Sequence, residues 1–442
     1  MTTASSAIRS LPLDRDFDRD QVWSVPVVVG AGLLAAAVFF LNANLRAHVD
    51  GESFSVDFED LLRLAICGGC GLYGLAKLPQ TFACFANSAG FWGLLFCAWA
   101  TLTVPMAESM LHSTAGCLAL WCLLLFGPAV LSELGGRRVA LTILATLVVY
   151  LVASWLAYFF YPELGASEFR ISSQEIKYRV GGLGGAQQLG LMAAWTIGLS
   201  LLLRTEGAVR WRSVLGPIAL ALFTLPFTES RTAMLVALAI GVLFAWRRLS
   251  HALVLVGGCA AVVLAATIVL LFQSGLLKVE ASGLDSALEK VSRSGKIEEI
   301  YNLTGRTEVW GFVVDEIARS PVIGYGYGCS RYVLDRYPGS ASDDFLPLHA
   351  HNLWLDVAVA TGLIGVLLYA AMIAQQMVGF VRWPAAFPDM ALVLVLVAGN
   401  TEPVLFGAMP KTHTVLWMIA LVWRGLAASA APDPAGARRE VV

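Results

Sequence analysis

Long apolar runs separated by short polar segments dominate the hydrophobic pattern of this chain. Crossing a bilayer as an α-helix requires roughly 20 mostly apolar residues, and twelve runs come near that length. They lie at about 22–41, 60–76, 86–104, 113–132, 139–161, 184–203, 213–228, 231–247, 252–273, 352–379, 389–408 and 412–430. This pattern predicts an all-α polytopic membrane protein with about twelve transmembrane helices.

The composition supports this interpretation and excludes several classes of protein. Of the 442 residues, 57% are hydrophobic and 14% are charged, and the mean hydropathy is +0.71. Soluble domains carry about 25% charged residues, so a soluble enzyme, a nucleic-acid-binding protein and a secreted disulfide scaffold are excluded. The net charge of −2 implies no general electrostatic partner. Most cysteines fall in apolar runs, where we interpret even the Cys67-x-x-Cys70 pair as packing residues.

The distribution of basic residues orients the runs. If the N-terminus is cytoplasmic, 15 of the 30 basic residues lie in cytoplasmic segments and 7 in short segments on the opposite side. This is the excess that the positive-inside rule requires. The predicted organisation is a cytoplasmic tail, nine helices, a large extracytoplasmic loop, three helices and a second cytoplasmic tail. Their bounds are 1–21, 22–273, 274–350, 351–430 and 431–442.

The extracytoplasmic loop is about 77 residues long, and loops above ~12–15 residues are usually functional or disordered. It carries helix signals, so we do not expect disorder. Residues 285–296 are charged and helix-prone, and a second helix is predicted to begin after an N-cap at Gly305. Pro321 ends it and a glycine-rich turn follows. One face of this amphipathic helix carries Arg306, Trp310, Val313 and Ile317. We expect it to lie on the membrane surface or to cap the helical bundle.

Several charged or titratable positions, far apart in sequence, fall on the extracytoplasmic side in this topology. They are Arg179, Arg231, Arg306 and the His351-Asn352 pair. Charges in a membrane cost roughly 2.5–3.5 kcal/mol at a helix centre and therefore indicate function. Taken singly, each has an ordinary explanation, such as an interfacial arginine or a solvated loop charge. Taken together, guanidiniums and a helix N-terminus favour a multiply charged anion, beside an imidazole that can exchange a proton near neutral pH.

Two further polar groups leave alternatives open. His349, His351, Asp343 and Asp344 could ligate zinc or manganese, but their spacing is loose and we do not favour a metal site. The Asn400-Thr401-Glu402 segment interrupts the eleventh apolar run. There, Asn400 and Glu402 are equally compatible with a contact between helices and with a contact to substrate.

Three motifs resemble the O-antigen ligase and Wzy-type polymerase superfamily. The first is Gly305-Arg306-Thr307-Glu308-Val309-Trp310, followed by Ser320-Pro321-Val322-Ile323-Gly324-Tyr325-Gly326. The second is His349-Ala350-His351-Asn352-Leu353-Trp354-Leu355, with Gly362-Leu363-Ile364-Gly365 after it, and the third is Ser230-Arg231-Thr232 at the head of a run. The resemblance is dense over about 225–370. The Asn400-Thr401-Glu402 element is most similar to the exopolysaccharide polymerase branch.

The resemblance implies a GT-C-like fold and a metal-independent glycosyltransferase with no cofactor. Its donor would be an undecaprenyl-pyrophosphate-linked oligosaccharide at the periplasmic face of the bacterial inner membrane. By match, the catalytic residues would be His351, Arg306 and Arg231: the arginines would bind the pyrophosphate, and the histidine would act on the acceptor hydroxyl. The expected substrate-binding residues are Arg179, Trp310, Asn352 and Glu402. The chain has Gln187-Gln188 where relatives often have His or Asn, which leaves the role of that helix open.

The favoured function is therefore polymerisation of lipid-linked repeat units into exopolysaccharide or O-antigen. The expected partners are the acceptor glycan, membrane lipids, and flippase, chain-length or export proteins, and no nucleic acid. The runner-up is the ligase that transfers the glycan to lipid A–core, because these motifs do not identify the acceptor. A twelve-span secondary transporter is a second alternative, although we see no internal repeat. A scaffold for an export complex would leave the arginines and the histidine unexplained.

Overall fold

The computed structural model describes most of the chain, in seven ranges. They are 24–44, 58–86, 88–172, 175–248, 306–337, 349–407 and 409–429, with side chains left out at 168–177, 248, 306–308 and 428–429. The predicted ninth run at 252–273, the charged segment at 285–296 and both predicted tails lie outside these residues. So do Asp343 and Asp344.

Helices make up most of the described residues. They are α1 (Val25–Phe40), α2 (Phe58–Thr81), α3 (Ala83–Ala86), α4 (Gly90–Thr103), α5 (Met110–Phe160), α6 (Pro162–Gly165), α7 (Ala186–Thr205), α8 (Trp211–Thr228), α9 (Arg231–Arg248), α10 (Arg306–Arg319), α11 (Ser330–Leu334), α12 (Leu353–Arg382), α13 (Ala386–Ala398) and α14 (Thr412–Ser429). Each predicted apolar run within the described ranges overlaps one of the longer helices, and the runs at 113–132 and 139–161 share α5. Five helices in these ranges, namely α2, α5, α7, α8 and α12, are long and apolar enough to cross a membrane. The helical, multi-pass membrane class is therefore confirmed.

The 51-residue helix α5 is two antiparallel arms. Gly135 between them has a φ of 72° and a ψ of 157°, which is not helical. Near the first residue of α5, His112 Nδ1 bonds Tyr332 at 2.9 Å. Near its last residue, Ser154 Oγ accepts from Leu183 N at 3.3 Å. The first and last turns of α5 therefore lie at the same end of the helical bundle. The two predicted runs at 113–132 and 139–161 correspond to these arms. A positive φ at this reversal favours glycine because glycine has no Cβ.

Helix α12 also reverses, which corrects the prediction of one span over 352–379. Gly362 has a φ of 67° and a ψ of −173°. The rings of Trp354 and Tyr369 lie 4.7 Å apart, whereas fifteen residues of straight helix would separate them by about 22 Å. Residues 353–361 therefore fold back against the longer arm. Backbone bonds from Leu363 N to Pro321 O (2.8 Å) and from Tyr325 N to Val359 O (2.8 Å) hold the reversal against the segment that follows α10.

The predicted helix at 389–408 is shorter than expected, because α13 ends at Ala398. The segment after it contains Gly399, Asn400 and Pro403. The helical conformation is disfavoured for the residue that precedes a proline, so the helix does not continue through this segment. Residues 399–407 and 409–411 are irregular but mostly buried, and Phe406 stacks on Phe96 with ring centroids 4.6 Å apart. The chain therefore enters the bundle between α13 and α14 as a packed non-helical segment.

The all-α prediction needs one correction. Residues Ala166–Ser172 (β1) and Glu175–Val180 (β2) form a two-stranded antiparallel hairpin before α7. In the large loop, the predicted amphipathic helix is confirmed as α10, which ends at Arg319 as expected. The turn after it is also confirmed, because Gly324, Gly326 and Gly328 have φ values of 74°, 95° and 75°.

Three helices connect two polar clusters at opposite ends of the bundle. Helix α7 carries Gln187 and Arg204, α9 carries Arg231 and Arg247, and α14 carries His413 and Arg424. At 1.5 Å per residue, the two members of these pairs are separated by about 26, 24 and 16 Å along their helices, so they lie at different ends of the bundle. We call these the His351 end and the Arg247 end, after a residue in each cluster.

Candidate active site at the His351 end

The peptide of Ala350 is held from two sides, and this fixes the position of His351. Asp356 Oδ1 accepts from Ala350 N at 3.2 Å, and Trp310 Nε1 donates to Ala350 O at 2.7 Å. The Asp356 carboxylate is 4% exposed. His351 has a φ of 49°, in the left-handed region that a non-glycine residue rarely adopts. Conformations of this kind persist where the surrounding structure enforces them, and they concentrate at functional sites.

Asn352 joins the start of α12 to the irregular segment after α13. Its Oδ1 caps α12 by accepting from Trp354 N at 2.9 Å and Leu355 N at 3.3 Å. Its Nδ2 donates to Asn400 O at 3.4 Å, and Leu353 N donates to Gly399 O at 2.7 Å. The predicted site residue Asn352 therefore positions backbone, and these bonds bring the His351 and Glu402 segments together.

His351 and Glu402 form the polar centre of the site. His351 Nδ1 lies 3.4 Å from Glu402 Oε1, and Gln187 Nε2 donates to the same oxygen. Glu402 is 2% exposed, whereas the His351 side chain is 21% exposed. The ring of His349 stands nearly perpendicular to that of His351, with centroids 4.2 Å apart. A buried carboxylate therefore faces one nitrogen of an imidazole that remains accessible.

Lys411 adds a positive charge beside the carboxylates. Burial lowers the pKa of Lys411, while Glu402 and Asp356 act in the opposite direction. A buried ammonium is tolerated where opposite charges compensate for the lost hydration. The His351 end thus combines an imidazole, two buried carboxylates and an ammonium group.

Arg231 lies next to this centre. It is the exposed first residue of α9, and the following residue, Thr232, bonds through Oγ1 to Thr401 Oγ1 at 2.9 Å. Ser230 Oγ accepts from Ala233 N at 3.3 Å and so caps the helix. The first turn of α9 therefore contacts Thr401, the residue before Glu402. A helix N-terminus favours an anion.

The other two predicted arginines are placed by their backbones. Arg306 is the first residue of α10, and its side chain lies outside the described residues. Trp310 is four residues later, on the same helical face, and it bonds directly to the residue before His351. Arg179 is half-buried on β2, opposite Ser167, and a short 3-10 turn at 182–184 connects this strand to α7. The backbones of both residues thus lead into elements of the His351 end, and the contacts of Arg179 and Arg306 with a substrate remain a prediction.

Gln187 and Gln188, whose role the sequence leaves open, point to different partners. Gln187 bonds Glu402, whereas Gln188 Oε1 lies 3.0 Å from His413 Nε2 and accepts from Asn42 Nδ2 at 3.4 Å. His413 Nδ1 in turn accepts from Trp195 Nε1 at 3.1 Å. Gln187 therefore belongs to the site, and Gln188 belongs to a buried network beneath it.

Two residues of the site were missed by sequence reasoning: Asp356 and Lys411. Asp356 had a usable signal, because it is a carboxylate within a predicted membrane span, and such residues indicate function. Lys411 entered only the count of basic residues on each side of the membrane, which gives no indication of a site. Gln187 was singled out with its role left open, and the sequence did not indicate Glu402 as its partner.

One set of side chains in the described ranges could hold a metal ion. Ligand atoms of His349, His351 and Glu402 all lie within 4.8 Å of one another. Two imidazoles and one carboxylate form the donor set of many catalytic zinc sites. The carboxylate in this set is Glu402, whereas the sequence suggested Asp343 and Asp344. The geometry therefore gives the metal hypothesis a specific set of ligands. It does not favour a metal over a role of His351 in proton transfer.

Comparison with known proteins gives consistent matches. Residues 216–370 match the O-antigen ligase family, a segment that contains Arg231, Arg306 and His351. A protein of Rickettsia felis, provisionally named polysaccharide ligase, is 31% identical over 78 residues, which is 16% of this chain and 19% of that protein. Proteins of the same provisional name from Rickettsia conorii and Rickettsia prowazekii are each 30% identical over 79 and 78 residues, again 19% of their length. The alignments thus span about a fifth of these relatives.

Proposed function

Because the chain belongs to the O-antigen ligase and Wzy-type superfamily, we propose that it is a glycosyltransferase that polymerises lipid-linked oligosaccharide repeat units. Its donor would be undecaprenyl-pyrophosphate-linked, and its products exopolysaccharide or O-antigen. The observation that carries the proposal is the contact of the accessible His351 with the buried Glu402. Thr401, the residue before Glu402, bonds Thr232 on the helix that begins at Arg231.

In the proposed reaction, His351 is the general base. Glu402 accepts a hydrogen bond from Nδ1–H and thereby leaves the lone pair of Nε2 available to the substrate. The acceptor hydroxyl oxygen forms a bond to the anomeric carbon of the donor, and its proton passes to Nε2. The bond between that carbon and the pyrophosphate oxygen breaks, and its electron pair leaves with the polyprenyl pyrophosphate. Neither a nucleotide sugar nor a redox partner is required.

The arginines would stabilise the leaving group. Negative charge grows on the pyrophosphate as the glycosidic bond breaks, and guanidiniums placed beforehand can bind its oxygens in bidentate fashion. Arg231 at the N-terminus of α9 and Arg306 at the start of α10 are the proposed pyrophosphate ligands, with Arg179 in support. Trp310 would contact the sugar beside His351. Binding donor and acceptor together would lower the entropic cost of reaction.

We further propose that the His351 end faces the periplasm and that the protein resides in the bacterial inner membrane. The excess of basic residues at segments of the Arg247 end supports this orientation. The lipid tail could then remain in the bilayer while the pyrophosphate reaches the site. Flippase, chain-length and export proteins are the proposed partners, because the donor must be delivered across the membrane and the product removed.

A ligase is the second candidate function, favoured by the names of the matching family and relatives. It would use the same donor chemistry and transfer the glycan to lipid A–core. The two functions differ only in the acceptor. A deletion strain separates them: loss of long surface polysaccharide with lipid A–core unchanged supports the polymerase, and loss of capped lipopolysaccharide supports the ligase.

The decisive test of the shared chemistry uses the Arg306→Ala variant. We expect loss of polymer, normal insertion of the protein, and accumulation of the lipid-linked repeat unit. Arg319→Ala, at the other end of α10, is the matched control, because Arg319 bonds Glu316 within the same helix. Polymer of normal amount and length in the Arg306→Ala strain would refute the assignment.

A further inference from the structure

A basic pocket lies at the Arg247 end, far from His351. It is lined by Arg137, Arg204, Gly207, Ala208, Val209, Arg210 and Trp211, and it encloses about 470 Å³. Three of its seven lining residues are arginines and none is acidic. We call it the Arg204 pocket. The proposed glycosyl transfer at the opposite end of α7 does not use it.

The pocket is built by the connection between α7 and α8. Helix α7 ends with Ala208 N donating to Leu203 O at 2.9 Å, and Gly207 adopts a φ of 73° at this turn. Arg137 on α5 donates from Nη2 to Ala208 O at 2.8 Å and so ties the turn to the neighbouring arm. The pocket is thus a fixed cleft between three helices.

The guanidiniums of the pocket are positioned for an anion. Arg204 Cζ lies 5.2 Å from the centre of the Trp211 ring, and no acceptor among the described residues reaches its buried Nε. The two carboxylates nearest in sequence are engaged elsewhere: Glu133 pairs with Lys77, and Glu206 interacts with Arg247. The positive charge is therefore not neutralised by acids of the pocket lining.

The level of the pocket in the membrane indicates what kind of anion binds. Trp211 is the first residue of α8 and 43% exposed, and tryptophans at helix ends concentrate at the depth of lipid headgroups. The arginines are among those that the positive-inside rule assigns to the cytoplasm, where the leaflet carries anionic lipids. Guanidiniums match the geometry of phosphate oxygens.

From these observations we infer that the Arg204 pocket binds the phosphate headgroup of an anionic phospholipid. Arg204 and Arg210 bind the phosphate oxygens, Arg137 holds the turn, and Trp211 packs against the glycerol region. This lipid would fasten the α7–α8 connection to the cytoplasmic leaflet. The pocket shares no residue with the proposed catalytic site, and its assignment to the cytoplasmic leaflet rests on the proposed orientation.

The test measures lipids retained by the full-length protein. Protein purified in neutral detergent is mixed with phosphatidylglycerol, cardiolipin or phosphatidylcholine, and native mass spectrometry counts the bound lipids. We expect retention of the two anionic lipids and a reduction of about tenfold in the Arg204→Gln variant. Arg212→Gln is the matched control, because Arg212 is an exposed neighbour on α8 outside the pocket lining.

Three outcomes would overturn the proposal: equal retention of phosphatidylcholine, an unchanged Arg204→Gln variant, or displacement of the lipid by millimolar inorganic phosphate. The last would assign the pocket to a soluble anion. If Arg204→Gln does not fold, the exposed Arg210→Gln variant provides the same comparison.

Discussion

The two ends of the bundle each contain a buried carboxylate, but its partners differ. Asp389 is fully buried and accepts hydrogen bonds from Arg247, Arg424 and the amide of Ala385 (3.1 Å). Glu402 is equally buried, yet the partners of its Oε1 are an amide, Gln187, and an imidazole, His351. Arginine remains charged at all physiological pH values, whereas imidazole titrates near neutrality.

This difference separates a structural role from a chemical one. Around Asp389, Arg424 also donates to Gln376 Oε1 and to Trp383 O (3.0 Å), so the cluster joins α9, α12, α13 and α14 with its donors and acceptors paired. Around Glu402, the accessible imidazole can exchange its proton with a substrate. A saturated ion cluster fixes helices, and a carboxylate paired with an accessible imidazole can support proton transfer.

The largest effect is expected for His351→Ala. Removal of the proposed base should lower the rate of polymerisation by about 10³-fold or more, with the lipid-linked donor still bound. The measurement is turnover of purified, reconstituted protein. His112→Ala is the matched control, because His112 lies at the same end but bonds Ser109 and Tyr332. A rate within tenfold of wild type would contradict a catalytic role.

Asp389→Asn should have its effect on stability. Removing the carboxylate takes away the acid that bonds both Arg247 and Arg424, and breaking a buried ion pair typically costs about 3–5 kcal/mol. We expect less folded protein and a lower thermal unfolding temperature in detergent, with normal turnover per folded molecule. A selective loss of turnover with unchanged stability would remove the distinction between the two ends.

Glu402→Gln should keep the fold and slow the reaction. The amide can still contact His351 but cannot stabilise a positive imidazole, so kcat should fall about 10²–10³-fold while KM for the donor changes little. The exposed pair of Glu108 with Arg336 provides the control Glu108→Gln. A raised KM with unchanged kcat would instead assign Glu402 to substrate binding alone.

The smallest effect is expected from chelation. If His351 is the base, EDTA should leave the rate within about twofold of the untreated enzyme, since no metal takes part. Loss of activity that zinc or manganese restores, together with bound metal in the wild type that disappears in His349→Ala, would instead establish a metal centre at His349, His351 and Glu402.

Much of the fold follows from local patterns, and the parts that do not are set by tertiary contacts. Hydropathy locates the helices well because burial in lipid requires long apolar runs. It does not show the reversal at Gly362, because the residues on both sides are apolar and the reversal depends on the packing of 321–325 against α12. The β1–β2 hairpin was missed because its strands are short and polar.

The site was predictable in its residue types and less so in its pairings. Basic-residue counts and short motifs indicated Arg231, Arg306 and His351 on one side of the membrane. They did not indicate that Glu402 faces His351, since the two are 51 positions apart and their approach depends on the irregular segment after α13. The cap that Asn352 provides for α12 was likewise not indicated by the sequence, and its predicted contact with substrate stays a prediction.

The central claim is that His351 and Glu402 act as one unit, and a double-mutant cycle tests it most directly. Turnover is measured for His351→Ala, Glu402→Gln and the double variant in the same reconstituted assay. The account predicts that the double variant is no slower than His351→Ala alone, because the carboxylate acts through the imidazole. Losses that multiply, about 10²-fold beyond His351→Ala, would show that the two residues act independently and would contradict the account.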